Sequence, residues 1–190
     1  MSSEDQKKWN TRYADQRRTI PSPPQDLIDI IDALPTGKLL DIACGEGAVA
    51  LFMAGRADYS VTALDISDVG LINLKRFAQE QSVKLATLCA DLEDTASLSQ
   101  LTDYDCITVF RYKPTAALVR YLVSALADNG RLIISTFNMR HHLECGFSAR
   151  FCLADEEFVN VDSRVSLLKL ISASASPYTD TYIFQKNTLD

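Results

Sequence analysis

Apolar and polar positions along the chain change their spacing repeatedly between residues 38 and 137. Short apolar runs rich in β-branched and aromatic residues predict five buried strands, at residues 38–43, 59–64, 83–89, 104–110 and 131–137. More polar segments with helical spacing lie between these runs. The alternation of strands and helices predicts a mostly parallel sheet with helices packed against it.

Helix start and stop signals mark the segments between the strands. Ser67 is a predicted N-cap, with Asp68 in the first turn of the helix that follows. Other helices are predicted at residues 46–54 before Gly55, in a short segment beginning at Thr95, and from Pro114 in the first turn to about Ala127. Asn129-Gly130 is a turn signal before the fifth strand.

The two ends of the chain follow other patterns. Trp9 and Tyr13 are four residues apart, so a helix would place both on one face. An apolar stripe predicts a further helix on the sheet, formed by Leu27, Ile28, Ile30, Ile31 and Leu34. Residues 138–153 lack clear periodicity and are predicted to be a loop. Two strand-like runs at residues 165–171 and 178–184 predict an antiparallel hairpin that closes the sheet.

The first strand runs into a glycine turn that opens a helix. Gly45 and Gly47 allow the backbone to approach a ligand closely, beside the amides of the helix N-terminus. Asp65 follows Gly45 at the distance at which a ribose-binding acid is expected in nucleoside-binding folds of this kind. The spacing therefore predicts a nucleoside-type cofactor, with its ribose bound by Asp65.

Asp41, at the end of the first strand, bears on which cofactor this is. A dinucleotide places its pyrophosphate near that position, and a carboxylate would repel it. S-adenosylmethionine instead carries a cationic sulfonium and an ammonium group, which a carboxylate suits. If Asp41 only accepts hydrogen bonds from loop amides, either cofactor remains compatible with it.

Five segments follow one another along the chain: DIACGEG at 41–47, LDIS at 64–67, CADL at 89–92, YDCITVF at 104–110 and NGRLII at 129–134. In this order they resemble the successive motifs of the class I S-adenosylmethionine-dependent methyltransferases, and the terminal hairpin also resembles that family. The resemblance implies an α/β Rossmann-like fold with a mostly parallel seven-stranded sheet, a C-terminal antiparallel hairpin and S-adenosylmethionine as cofactor. WNTRY at 9–13 and VFRY at 109–112 resemble the small bacterial branch related to tellurite-resistance and thiopurine methyltransferases.

The resemblance also implies roles for individual residues. Gly45 and Gly47 would line the methionine part of the cofactor, Asp65 would hold the ribose hydroxyls and Asp91 would accept from the adenine amino group. The full implied cofactor site comprises Trp9, Arg12, Tyr13, Asp41, Ala43, Cys44, Gly45, Gly47, Asp65, Ile66, Asp91, Leu92 and Phe110.

The acceptor side is predicted at the end of the fourth strand and in the segment after the fifth. Its candidate residues are Arg111, Tyr112, His141 and His142. Lys113-Pro114 departs from the related sequences at this place. A thiol, tellurium or other soft nucleophile would need no strong general base, so no catalytic residue is assigned and alignment of donor and acceptor would dominate catalysis.

Composition and motifs limit the kinds of molecule that this protein is expected to bind. The net charge of −6 disfavours nucleic acid, and the sequences by which DNA methyltransferases grip or attack a base are missing. The five cysteines include no Cys-x-x-Cys pair, and His141 and His142 lack the neighbours of a zinc site, so no metal is predicted. Without a readable signal peptide or membrane span, the protein is expected to be cytoplasmic, act on a small-molecule acceptor and contact no membrane. Its oligomeric state is not indicated.

One methyltransferase domain is predicted over residues 1–190. It would comprise an N-terminal helical cap at 1–36, a cofactor-binding core at 37–137, and an acceptor-side loop with the terminal hairpin at 138–190. Two alternatives stay open on sequence alone. One is an NAD-binding Rossmann oxidoreductase, against which Asp41 and the hairpin argue, and the other is a non-catalytic regulatory subunit that binds the cofactor.

Overall fold

The computed structural model describes residues 3–14 and 19–188. The α-helices in this part of the chain are α1 (Ser3–Tyr13), α2 (Gln25–Ile28), α3 (Ala48–Ala54), α4 (Asp68–Glu80), α5 (Thr95–Leu98), α6 (Ala116–Ala125) and α7 (Met139–Cys145). The strands are β1 (Gly37–Ile42), β2 (Tyr59–Asp65), β3 (Ala86–Cys89), β4 (Tyr104–Phe110), β5 (Leu126–Phe137), β6 (Val165–Ser172) and β7 (Thr179–Lys186). Short 3-10 helices cover Ile31–Ala33 and Ala149–Phe151.

The strands form a seven-stranded sheet in the order β3-β2-β1-β4-β5-β7-β6. β1 pairs with β2, β2 with β3 and β4 with β5 in parallel, whereas β7 runs antiparallel to both β5 and β6. The predicted α/β fold class, with a mostly parallel sheet and a C-terminal antiparallel hairpin, is therefore confirmed. A dinucleotide-binding fold ends instead on a parallel strand, so this topology argues against the NAD alternative.

The chain divides into two compact units, Met1–Leu101 and Thr102–Asp190. In the first unit, β1 and β2 are buried toward their carboxyl ends and α4 packs beside β2 and β3. Its core includes Leu39, Leu40, Ile42, Leu64, Leu74 and Phe77. These residues belong to the apolar runs of the strands and to the apolar face of α4. Burial of such side chains stabilises the packing of a helix on a sheet. The organisation as one domain stays a prediction.

In the second unit, β4, β5 and β7 carry the core. Its largest buried side chains include Tyr182, Phe184 and Ile107, and α6 covers the strands with an apolar face. Ser135 and Thr181 are also buried, and their hydroxyl oxygens lie 2.8 Å apart in a hydrogen bond between β5 and β7. The pair satisfies two polar groups that would otherwise destabilise this core.

Helix caps follow the sequence signals in most places. The Ser67 hydroxyl accepts a hydrogen bond from the Gly70 amide at 3.0 Å and caps α4, which confirms that prediction. Pro114 was predicted to lie in the first turn of α6, but this helix begins at Ala116. The Thr115 hydroxyl caps it by accepting a hydrogen bond from the Leu118 amide at 3.2 Å. Pro114 therefore precedes this helix because the threonine hydroxyl supplies the stronger start signal.

The prediction of a loop over residues 138–153 was wrong for much of that segment. The Asn138 side chain accepts from the His141 amide at 3.2 Å and starts α7, and Gly146 ends it with a φ of +68°. No α7 side chain is buried, and Leu143 is 77% exposed. A helix without a buried face lacks the apolar period by which sequence patterns reveal helices.

Two other boundaries also differ from the prediction. Asn129-Gly130 was predicted to be a turn before the fifth strand, but β5 already begins at Leu126. The register between β4 and β5 shifts beside these two residues, so they mark an irregularity inside the strand. The apolar stripe before β1 is not one helix, because Ile30 leaves helical geometry with a φ of −116° between α2 and the following 3-10 turn.

Candidate cofactor site and acceptor-side residues

Residues 43–47 form a sharp turn between β1 and α3. Ala43, Gly45 and Gly47 have φ values of +54°, +55° and +89°. The Cys44 amide donates a hydrogen bond to the Leu64 carbonyl at 3.0 Å, which ties the turn to β2. Left-handed backbone is uncommon for residues with a side chain and concentrates at functional sites. In open α/β sheets, ligands bind at such turns beyond the carboxyl ends of strands.

Asp65, the last residue of β2, holds this turn in place. Its Oδ2 accepts a hydrogen bond from the Gly45 amide and its Oδ1 accepts one from the Ser67 amide, each at 2.8 Å. The residue is only 7% exposed, and burial raises the pKa of its carboxyl group, although the amides of Ser67, Gly45 and Ile66 oppose that rise. Each carboxylate oxygen can accept more than one hydrogen bond. Asp65 can therefore bind ligand hydroxyls while it fixes the turn.

The missing side chains of Gly45 and Gly47 make room for two side chains of the protein. A Cβ at Gly47 would lie 2.2 Å from Cδ1 of the fully buried Leu74. A Cβ at Gly45 would lie 2.7 Å from the Tyr13 hydroxyl oxygen. Gly47 thus permits α4 to pack against the turn, and Gly45 permits Tyr13 to lie over it. These packing roles add to the predicted ligand approach at both glycines.

Hydrogen bonds from polar side chains hold helix α1 beside this turn. Asn10 donates to the Asp68 carboxylate and accepts from the Ser67 hydroxyl, each at 2.6 Å. Asn73 on α4 donates to the Tyr13 carbonyl at 2.9 Å. The roles of Asn10 and Asn73 were not predicted, because isolated asparagines on predicted helices carry no signal of a distant partner.

The aromatic residues of α1 share one face, as predicted from their spacing. The rings of Trp9 and Tyr13 stack with centroids 5.7 Å apart, and the Arg12 guanidinium lies 5.3 Å from the centroid of Trp9. Burial, followed by the charges of Asp65 and Glu46, raises the pKa of the Tyr13 phenol well above its ordinary range, although Arg12 opposes this. Tyr13 is therefore a neutral hydroxyl in a strongly negative environment.

The same negative environment acts on Cys44 within the turn. Burial raises the pKa of its thiol, and the nearby carboxylates of Asp41 and Asp65 raise it further. Asp41 is 2% exposed at the end of β1. We call Asp41, Glu46 and Asp65 the carboxylate cluster. Because like charges repel strongly in a buried site, this cluster fits a cationic ligand and does not fit a pyrophosphate.

The predicted adenine-side residues lie on the same unit as the carboxylate cluster. Cys89 at the end of β3 pairs with Asp65, and the Ala90 amide donates to the Asp65 carbonyl at 3.1 Å. Asp91 follows directly, and its Oδ1 accepts from the Glu93 amide at 2.8 Å. Leu92 and Ile66 are buried. The fold thus brings the predicted ribose and adenine residues to neighbouring strand ends.

On the second unit, Arg111 follows β4 in left-handed geometry, with a φ of +57°. Its amide donates to the Ser135 carbonyl at 2.8 Å, and its guanidinium lies 5.4 Å from the centroid of the Phe137 ring. Phe110 is buried, whereas Arg111 and Tyr112 are half-buried. An arginine in strained backbone is a candidate functional residue, because such strain persists only where the surroundings hold it.

His141 and His142 both lie on α7 but have different surroundings. The His141 ring stacks on Phe137 with centroids 4.4 Å apart and lies 5.5 Å from the Phe147 centroid. Nδ1 of His142 is 2.6 Å from the Phe147 carbonyl oxygen. Both histidines were predicted on the acceptor side, but the aromatic residues Phe137 and Phe147 around them were not.

Lys113 fastens another segment of this unit. Its ammonium group donates to the Cys152 carbonyl and pairs with the Glu157 carboxylate, each at 2.8 Å. The position at which the sequence departs from its relatives therefore anchors the chain that follows α7. No group of three or more His, Cys, Asp or Glu side chains that could hold a metal occurs in residues 3–14 and 19–188. Over the same residues, no helix is long and apolar enough to cross a membrane.

Residues 39–130, about half of the chain, match the methyltransferase domain family. The chain has the class I methyltransferase fold. A ubiquinone biosynthesis O-methyltransferase from Rickettsia akari is 29% identical over 102 residues, which are 53% of this chain and 40% of that protein. The chain thus spans about two fifths of the length of this curated relative.

Solved structures share this fold. The N-methyltransferase NodS from Bradyrhizobium japonicum, in complex with S-adenosyl-L-homocysteine, has a TM-score of 0.73 at 14% identity and covers 96% of this chain and 98% of its own. TehB from Haemophilus influenzae has a TM-score of 0.67 at 13% identity, over 96% of this chain and 67% of its own. At these identities the likeness shows the fold. The narrower resemblance to the thiopurine methyltransferase branch stays a prediction.

Proposed function

We propose that this protein binds S-adenosylmethionine at the turn formed by residues 43–47 and transfers its methyl group to a small-molecule acceptor. When bound, the cofactor supplies an electrophilic methyl group on a cationic sulfonium. In this proposal Asp65 holds the ribose hydroxyls, Asp91 accepts from the adenine amino group, and Ile66 and Leu92 pack against the adenine ring. Trp9, Arg12 and Tyr13 on α1 complete the cofactor side.

The carboxylate cluster around the glycine turn carries the proposal. Asp65 is fixed by two backbone amides and keeps acceptor capacity, while Asp41 and Glu46 make the surroundings negative. A positively charged cofactor without phosphate is stabilised by such a site, whereas NAD would bring its pyrophosphate against the same charges. The matched domain and the strand order support the same cofactor.

Titration calorimetry tests the cofactor directly. We expect the purified protein to bind S-adenosylmethionine and S-adenosylhomocysteine and not NAD. Tight binding of NAD, or no binding of either sulfur compound by folded protein, would overturn the proposal. Formation of S-adenosylhomocysteine with any acceptor then separates an enzyme from a non-catalytic subunit.

Cofactor affinity is expected to fall as the pH is lowered toward the raised pKa of Asp65. Burial raises the pKa of Asp65 above the ordinary aspartate value of 3.8, so this carboxylate gains a proton at a higher pH than an exposed one does. The protonated group has lost the charge that attracts the sulfonium. Because a raised pKa means that protonation favours the folded state, the contribution of Asp65 to cofactor-free stability changes in the opposite direction and rises as pH falls.

Calorimetry and urea unfolding over a pH series will measure these two trends. In Asp65→Asn both contributions disappear, because position 65 no longer titrates. If the wild type and Asp65→Asn showed parallel pH profiles of affinity, another group would be responsible.

We place the acceptor beside Arg111. Tyr112 follows Arg111 in the chain, and the other two predicted acceptor residues, His141 and His142, lie on α7. The Arg111 guanidinium is positively charged and follows β4 in left-handed backbone, so it attracts an anionic or polar acceptor. That the acceptor is a soft nucleophile such as a thiol or tellurium stays a prediction.

Arg111→Ala is expected to slow methyl transfer while donor affinity stays within about tenfold, or 1.4 kcal/mol. The reason is that the three carboxylates assigned to the donor, Asp41, Asp65 and Asp91, lie on the first unit, whereas Arg111 lies on the second. Arg150→Ala is the matched control, since its exposed guanidinium also lies over a phenylalanine ring, that of Phe151. Normal turnover in Arg111→Ala, or a loss confined to donor affinity, would remove Arg111 from the acceptor side.

A further inference from the structure

Two buried polar residues of the second unit lie opposite each other on one face of the sheet. Thr136 on β5 pairs with Asp180 on β7 in the antiparallel register. Side chains of directly opposite residues point to the same face of a sheet, with Cβ atoms about 4.5–5.5 Å apart. Thr136 is 1% exposed and Asp180 is 7% exposed. Neither belongs to the cofactor site or to the predicted acceptor residues.

The Thr136 hydroxyl has hydrogen-bonding capacity that the protein does not use. Its Oγ1 is buried and meets no hydrogen-bond partner among residues 3–14 and 19–188. A hydroxyl group can donate one hydrogen bond and accept two. A buried polar group without a partner destabilises the folded state, so each such group in a native protein calls for an explanation. A ligand that binds to this hydroxyl removes the cost.

The neighbouring pair of residues on the opposite face satisfies itself. Ser135 pairs with Thr181 in the same register, and their hydroxyl oxygens form a hydrogen bond of 2.8 Å. Thr136 and Asp180 make no such bond, although a hydroxyl can donate to a carboxylate. A single donor group that lies between them can form a hydrogen bond of ordinary length to each.

The Asp180 carboxylate is held by a neutral group. Its Oδ1 accepts a hydrogen bond from Nδ2 of Asn138 at 2.9 Å, and it forms no ion pair within the part of the chain that the structure describes. Lys113 of the same unit pairs with Glu157 instead. Because a buried charge is costly unless an opposite charge compensates it, Asp180 favours a positively charged partner.

The surroundings of Asp180 on this face are also suited to a cation. Tyr182 follows two residues later on β7 and shares the face, and its ring lies 5.8 Å from that of Phe158. Burial raises the pKa of the Tyr182 phenol, and the negative charges of Asp180, Glu157 and Glu156 raise it further, although the Phe158 amide opposes this. Negative charge and aromatic rings both attract an ammonium group.

We propose that Thr136 and Asp180 form a binding site for the ammonium group of a small primary amine. The ammonium group donates one hydrogen bond to the Asp180 carboxylate and one to the Thr136 hydroxyl oxygen, and its charge compensates the carboxylate. Asn138 is only half-buried, so the site borders the surface at that residue. The site lies within the second unit and does not depend on the proposed cofactor.

Two probe cations separate hydrogen bonding from charge. Methylammonium has three N–H donors and tetramethylammonium has none. The methyl signal of Ile134, which lies on the same face two residues before Thr136, reports binding in an NMR titration at constant ionic strength. We expect saturation by methylammonium with a Kd of about 10 mM, the limit for a ligand of so few atoms, and no saturable shift with tetramethylammonium.

Three variants test the two residues against a matched control. Asp180→Asn keeps an oxygen for Asn138 but loses the charge, so its affinity for methylammonium is expected to fall at least about tenfold. Thr136→Val is expected to bind at least about threefold more weakly and to have an equal or higher Tm without ligand, because it removes an unsatisfied hydroxyl. Thr181→Val is the control, since it leaves Ser135 unpaired on the other face. It is expected to keep the affinity and to lower the Tm by at least about 2 °C.

Several results would refute this site. They are the absence of methylammonium binding, equal binding of both cations, unchanged affinity in folded Asp180→Asn, and a Tm of Thr136→Val that falls as far as that of Thr181→Val. If Asp180→Asn does not fold, the affinity and the Tm of Thr136→Val decide. These measurements need no S-adenosylmethionine, so their outcome is separate from that of the proposed function.

Discussion

Asp65→Ala is expected to weaken S-adenosylmethionine binding by about 1.5–3 kcal/mol, the scale of lost hydrogen bonds to a charged group. The substitution also leaves the amides of Gly45 and Ser67 without the carboxylate oxygens that they contact at 2.8 Å. We therefore expect the free energy of unfolding to fall as well, by about 1–3 kcal/mol. Calorimetry and urea unfolding measure the two effects separately.

Two further variants show whether the lost charge or the lost hydrogen bonds cause these losses of affinity and stability. Asp65→Asn keeps one oxygen but turns an amide donor toward one of the two backbone N–H groups, so it is expected to lose both affinity and stability. Asp58→Asn removes an exposed carboxylate of the same unit and controls for net charge. Unchanged cofactor affinity in folded Asp65→Ala would remove this residue from the site.

Gly47→Ala is expected to destabilise the protein by about 2–4 kcal/mol, because two separate penalties apply. The φ of +89° disfavours any side chain, and the new Cβ would lie 2.2 Å from Cδ1 of Leu74. Leu74 is fully buried, so it has little freedom to move away. Urea unfolding gives the size of the loss.

Gly146→Ala is the matched control for the backbone penalty. Gly146 has a φ of +68°, but a Cβ there would meet no atom within 4 Å. We expect a cost of about 1 kcal/mol, from the left-handed geometry alone. In addition, the double variant Gly47→Ala with Leu74→Ala is expected to lose less free energy of unfolding than the two single variants lose together. Equal losses in Gly47→Ala and Gly146→Ala would show that the contact with Leu74 has no energetic consequence.

The positions of the parallel strands could be predicted from the sequence because such strands are buried, and burial leaves a readable apolar run. The Ser67 cap was also predictable, since a cap acts on residues close by in the chain. The packing roles of Gly45 and Gly47 were not, because their partners, Tyr13 and Leu74, are distant in sequence.

The segment after β5 was the hardest to predict for a related reason. Helix α7 buries none of its side chains, so only Asn138 and Gly146 mark its ends. The sequence likewise named His141 and His142 together. Their difference depends on one carbonyl oxygen, that of Phe147, which is brought to Nδ1 of His142 by the turn at the end of the helix.

The Tyr13 ring lies against α4 as well as over Gly45. At Gly70, in the first turn of that helix, an added Cβ would lie 3.0 Å from Cδ2 of Tyr13 and 3.2 Å from the Gly45 carbonyl oxygen. The aromatic ring on α1 and the absent side chain at position 70 therefore depend on each other. A side chain at position 70 would require the Tyr13 ring and the Gly45 carbonyl to move by a few tenths of an ångström. We therefore expect residues 13 and 70 to vary together among homologous proteins.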